Sequence, residues 1–125
     1  MTTTLVHPRR LVYAALATLL FAALVLEVVK HGAGYWQAVA FGLAPDLALV
    51  YGAAGGLARG QLHPRAVGLY NGLHRFWGPV ALLAVAAAGV LPYGFLVGGL
   101  AWSFHVALDR TLGYGLRTRD GHQRA

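Results

Sequence analysis

The chain has no cysteine, which excludes disulfides, thiol catalysis and Cys-ligated zinc or iron–sulfur centres. Carboxylates are nearly as scarce: Glu27, Asp46, Asp109 and Asp120 are the only four in 125 residues. Charged side chains of both signs make up 11% of the chain, against ~25% in a soluble globular domain. What replaces them is apolar, at 58%, and that excludes intrinsic disorder. The formal net charge is +6, yet the Lys and Arg residues sit in short clusters between apolar runs. A basic nucleic-acid-binding globule, with its charge spread over one folded face, is therefore excluded as well. Lipid is the medium that fits this composition.

Four apolar stretches, at about 11–29, 34–57, 66–91 and 92–113, approach or exceed the ~20 helical residues needed to cross a hydrocarbon core. Helices are the expected form, because lipid offers no partner for an unpaired backbone group. The predicted fold class is all-α: a single membrane domain of four transmembrane helices, followed by a short polar tail at 117–125 expected to be mobile. Arg9 and Arg10 before the first run resemble the charged start of a signal peptide. The run is longer than a signal core and ends in Glu-Val-Val-Lys, so it is read as a retained helix.

Basic residues set the expected orientation. Arg9 and Arg10, then Arg59 and Arg65, then Arg117, Arg119 and Arg124 fall on one side of the four spans, and only Lys30 and His31 on the other. Both termini are thereby placed in the cytoplasm of a bacterial inner membrane. Tyr13, Tyr70 and Tyr114 near the inner ends, with Tyr35, Trp36 and Tyr93 near the outer ends, agree with aromatic belts. Gly52 and Gly56, Gly68 and Gly72, and Gly94 and Gly98 place small residues one turn apart, a pattern that lets helices approach closely. These faces are expected to pack the bundle and leave room for a homodimer. Membrane lipids are the expected partners.

Polar residues inside a span cost ~2.5–3.5 kcal/mol to insert and mark functional positions. Asp46 follows Pro45 in the second span, Asn71 and His74 lie three apart in the third, and His105 and Asp109 four apart in the fourth. At 1.5 Å per residue, Asp46 lies ~16 Å from the cytoplasmic end of its span, His74 and His105 ~12 Å, Asn71 ~8 Å and Asp109 ~6 Å. Residues four apart share a helix face, so Trp102, His105 and Asp109 form one stripe. One buried cluster opening towards the cytoplasm is expected. Gly78-Pro79 is expected to bend the third helix. Glu27 is read as an interfacial ion pair with Lys30 or His31, and Trp77 and Trp102 as packing residues. His7, His63 and His122 lie in loops or tails and are given no role.

The segments Pro45-Asp46, Tyr70-Asn71-x2-His74 and Trp102-x2-His105-x3-Asp109-Arg110-x2-Gly113-Tyr114-Gly115-Leu116 resemble a small bacterial membrane-protein family of unknown function with four predicted helices. The resemblance spans roughly positions 45–116 and implies that these residues act together. It implies no activity. A further His is expected soon after the Gly-Tyr-Gly motif, and the one that follows in this chain is His122.

Two imidazoles with one or two carboxylates form a ligand set for Zn²⁺ or another divalent ion such as manganese. His74, His105 and Asp109 are the expected metal ligands. Asp46 is a fourth ligand or the general base, Asn71 a ligand-orienting or oxyanion group, and Arg110 or Arg75 a holder of substrate phosphate. The corresponding function is metal-dependent hydrolysis of a lipid-like substrate. Three alternatives stand beside it: a proton, ion or small-solute transport site, a haem held by His74 and His105, and a structural bundle in which these groups serve as polar glue.

Overall fold

The computed structural model describes residues 7–124, and among these the architecture is all-helical. Helix α1 spans Pro8–His31, α2 Tyr35–Leu43, α3 Leu47–Tyr51, α4 Val67–Leu73, α5 Trp77–Ala87 and α6 Gly94–Thr111. Short 3₁₀ turns at Ala44–Asp46 and Pro64–Ala66 lead into α3 and α4. Pro8 opens α1 at a position where its missing N–H is no loss, and the His7 ring accepts from the Arg9 N–H.

Helix α6 is the axis of the fold and packs against α1, α2 and α5. Its glycines make this possible by removing side chains at the crossings. A Cβ on Gly94 would strike Gln37 and one on Gly98 would strike Phe41, both on α2, while one on Gly99 would strike Leu83 on α5. Of the three small-residue pairs, only Gly94 and Gly98 work as a pair within the chain. Gly52 faces Leu62 and Ala66, Gly56 lies outside any helix, and Gly68 and Gly72 meet nothing within 4 Å.

Neighbouring contacts give the directions. Arg10 reaches Thr111 and Glu27 reaches Tyr93, so α1 runs antiparallel to α6. Gln37 meets Gly94 and the Gly42 carbonyl meets His105, so α2 runs with α6. Gly78 lies on Trp102 and Leu83 on Gly99, so α5 runs against it. The chain therefore reverses direction at each connection. The start of α1, the 52–66 loop and the C-terminal segment meet at one end, and Glu27, His31 and Tyr93 meet at the other. Glu27 pairs with His31 and accepts from Tyr93.

Two of the expected helices are interrupted. Pro45 has no N–H to return to Phe41, and the chain passes through the 3₁₀ turn before α3. Helix α3 then stops at Gly52, where the Arg65 guanidinium takes the Tyr51 and Ala53 carbonyls. The Pro79 ring excludes the Arg75 carbonyl, so the helix breaks over His74–Phe76 between α4 and α5. The break lies where Gly78-Pro79 predicts a bend.

The polar tail is folded. Arg117 and Gln123 form an isolated antiparallel bridge, the Leu62 N–H donates to Gly121 O at 2.9 Å, and Gln61 Nε2 donates to Asp120 O at 2.8 Å. Expected mobility gives way because the loop beneath presents backbone and amide partners in register. Among the described residues, α1 is the one helix long and apolar enough to cross a membrane, and Ala17 is the one buried residue in it.

Gly121 sits at φ +99, with an added Cβ 1.8 Å from the Leu62 carbonyl oxygen. Gly121→Ala is expected to destabilise the fold by roughly 1–3 kcal/mol, read as a lowered Tm in detergent. A Tm equal to the parent protein would contradict the docked tail.

Candidate metal centre

The two helix breaks supply the backbone that builds the site. The turn at Pro45 directs Asp46 inward and leaves the Gly42 carbonyl to His105, whose Nδ1 lies 2.8 Å from it. At the second break, Trp102 Nε1 donates to Leu73 O at 2.8 Å and Arg110 Nη2 donates to His74 O at 3.0 Å. Side chains of α6 thus satisfy carbonyls that an unbroken helix would have paired itself. The α4 end contributes His74, whose Nδ1 lies 2.8 Å from the Tyr70 carbonyl and whose ring stacks on Tyr70.

Four side chains converge here: Asp46, His74, His105 and Asp109. Nε2 of His74 is 3.4 Å from Asp46 Oδ1 and 3.2 Å from Asp109 Oδ2. Nε2 of His105 is 3.1 Å from Asp46 Oδ1, 3.5 Å from Asp109 Oδ2 and 3.3 Å from His74 Nε2. The four ligand atoms all lie within 4.8 Å of one another. A tetrahedral centre with bonds of ~2.0–2.1 Å has ligand–ligand edges of roughly 3.3–3.4 Å. Five of the six edges scatter around that length, and the sixth, between the two carboxylates, falls within 4.8 Å, so the group could hold a metal ion.

The hydrogen bonds assign the tautomers. A carbonyl has no proton to give, so Nδ1 of each ring is the donor and, in the neutral ring, Nε2 carries the lone pair. Backbone carbonyls behind metal-ligating imidazoles fix ring orientation and raise ligand basicity in this way. With both rings neutral, two imidazole lone pairs and two carboxylates point at one another. That arrangement is repulsive until one divalent cation or two protons enter it.

Burial grades the four groups. The side chains of His74, His105 and Asp109 are 2%, 11% and 20% exposed, and that of Asp46 is 47% exposed. Three of the groups are largely enclosed and Asp46 is half exposed.

The structure brings together four of the six expected site residues. Arg110 lies behind His74, holding its carbonyl and stacking at 6.0 Å over Tyr13. Arg75 is exposed on the break. Asn71 faces the tail instead of the cluster: its Nδ2 donates to Arg117 O at 3.1 Å and its Oδ1 accepts from Arg117 N at 2.7 Å. Sequence reasoning missed Tyr70, Gly42 and Arg117. Tyr70 was signalled by its place four residues before His74, whereas nothing local points to Gly42 or to Arg117, whose guanidinium lies 4.8 Å over the Tyr70 ring.

The family described as a domain of unknown function (DUF4260) matches residues 10–125, and the chain belongs to that family. No curated protein and no solved structure matches it.

Asn71→Ala is expected to free the tail while leaving the four-residue cluster in place. The two lost hydrogen bonds amount to roughly 1–3 kcal/mol, read as faster tryptic cleavage after Arg117 and Arg119 with no change in metal content. Loss of metal with an uncleaved tail would return Asn71 to the centre.

Proposed function

We propose that this family member is a polytopic membrane protein whose His74, His105 and Asp109 hold a divalent metal, zinc or manganese, and which hydrolyses a lipid-like substrate. The observation that carries the metal is five separations of 3.1–3.5 Å among four groups drawn from three segments of the fold. One cation held by His74, His105 and Asp109 would offset the charge of the whole cluster, with Asp46 close beside it. Two protons instead would set two imidazolium Nε2–H groups 3.3 Å apart, like charge against like. That two-proton state is the second reading, a proton or ion site, and it follows from the same balance of charge.

In the hydrolytic reading the metal lowers the pKa of water beside it. Asp46, half exposed, takes the proton of the attacking water. Arg110 supports His74 through its carbonyl and presents its remaining N–H groups to an anionic part of the substrate. A haem does not fit this geometry: the two Nε2 atoms and two carboxylate oxygens crowd one small volume and leave no slot for a flat macrocycle.

The membrane reading is supported by α1 and by large apolar side chains left exposed along the other passes, among them Val39, Leu43, Leu47, Val50 and Val80. A soluble chain rarely leaves so much apolar surface uncovered. Four passes with both termini in the cytoplasm agree with the Arg-rich segments gathered at one end of the bundle. The partners in this reading are membrane lipids and no nucleic acid. A homodimer would use the face of Gly68 and Gly72, which the same chain leaves open.

Elemental analysis of the protein purified in detergent without chelator is the test. One zinc or manganese per chain is expected, lost in a His74→Ala, His105→Ala double variant. It is also expected to fall as the medium is acidified, because protons compete with the metal for the ligand atoms. No stoichiometric metal would overturn the hydrolase and leave the proton site. Asp46→Asn is expected to keep the metal and lower ester hydrolysis about 10²–10⁴-fold, measured on lipid analogues.

A further inference from the structure

Beside the Asp/His centre lies a cleft of about 560 Å³ lined by Arg9, Arg10, Tyr13, Arg110, Tyr114 and Arg124, among others. Its size is that of a small-molecule site. Among the described residues four guanidiniums line it, and no Asp or Glu side chain does. The Asp and Glu side chains are engaged elsewhere: Glu27 with His31 and Tyr93 at the far end, Asp46 and Asp109 in the cluster, Asp120 with Thr118 in the tail.

The cleft is built, with two of its guanidiniums held by the backbone. Arg10 donates through Nε to Thr111 O at 2.7 Å, and Arg110 donates through Nη2 to His74 O at 3.0 Å. These bonds set the direction of each fork and leave its other N–H groups for a ligand, the geometry that suits a phosphate. The N-terminal end of α1 reaches the same cleft and adds the positive end of its dipole, while Arg10 offsets the negative end of α6. Arg110 joins this cleft to the centre: it follows Asp109 in sequence and holds the backbone of His74.

We propose that this cleft is an anion site that takes a phosphate group, supplied by a lipid headgroup or by free phosphate. It deepens the hydrolase reading, and rests on it only in identifying the bound group as part of the substrate. A phosphate here meets several guanidiniums at once, beside the ligands that would activate water. The site lies at the basic end of the bundle, where anionic headgroups meet juxtamembrane arginines.

Equilibrium binding to the full chain in detergent, at physiological salt, tests it with three probes: short-chain phosphatidate, the matching phosphatidylcholine and inorganic phosphate. Phosphatidate is expected to bind more tightly than phosphatidylcholine, and about tenfold or more weakly to an Arg9→Gln, Arg124→Gln double variant. An Arg9→Lys, Arg124→Lys variant keeps the charge and is expected to retain most of the binding, which separates lost charge from lost fold. Inorganic phosphate binding as tightly as phosphatidate would support the site with free phosphate as its source; tighter phosphatidate would support the headgroup. Phosphatidate held no better than phosphatidylcholine by the parent protein, with inorganic phosphate also unbound, would overturn the proposal. So would equal binding by the Gln variant. Metal content measured on the same samples separates the two readings: phosphate binding without metal leaves this site standing and the hydrolase fallen, and metal without phosphate binding does the reverse.

Discussion

The arrangement turns on two hydrogen bonds, from His74 Nδ1 to the Tyr70 carbonyl and from His105 Nδ1 to the Gly42 carbonyl. Each leaves Nε2 of a neutral ring bare and aimed at the same point. The Gly42 bond is available because the helix is broken at Pro45. Arg110 and Trp102 fasten α6 to the second break by taking the carbonyls of His74 and Leu73. In an apolar surrounding an unpaired carbonyl is costly, so breaking the helices and recruiting α6 side chains are parts of one solution.

That solution concentrates charge. With both imidazoles neutral, Asp46 and Asp109 face two lone pairs, and repulsion among the four is relieved only by a cation or protons. The cleft at the same end of the fold carries the opposite imbalance, four arginines with no Asp or Glu side chain among its described lining residues. A centre that wants a cation and a cleft that wants an anion lie side by side, joined through Arg110. Hydrolysis of a phosphate-bearing lipid uses both.

Part of this was legible in residue order. His105 and Asp109 are four apart on a helix, which puts them on one face whatever surrounds them. Gly78-Pro79 announced a bend by chemistry alone, and depth counted along each span brought Asp46 and His74 to a similar level. The pairing of Asn71 was not legible, because its spacing to His74 says nothing about a tail 46 residues away that presents a backbone N–H and C=O to its amide. The tail itself read as mobile because it is short and polar. Its order comes from the loop at 58–65, which no local pattern connects to it.

By itself the sequence determined the all-helical class, the apolar segments, the bend at Pro79 and the residue types able to bind a metal, since each follows from local composition or helical periodicity. Only the tertiary structure decided that the four side chains converge within 4.8 Å, that Asn71 pairs with the tail, and that four arginines share one cleft. Those outcomes depend on how α6 settles between α1, α2 and α5, where glycines at 94, 98 and 99 permit close approach. Distances across helices are set by such contacts, and no spacing along a single chain contains them.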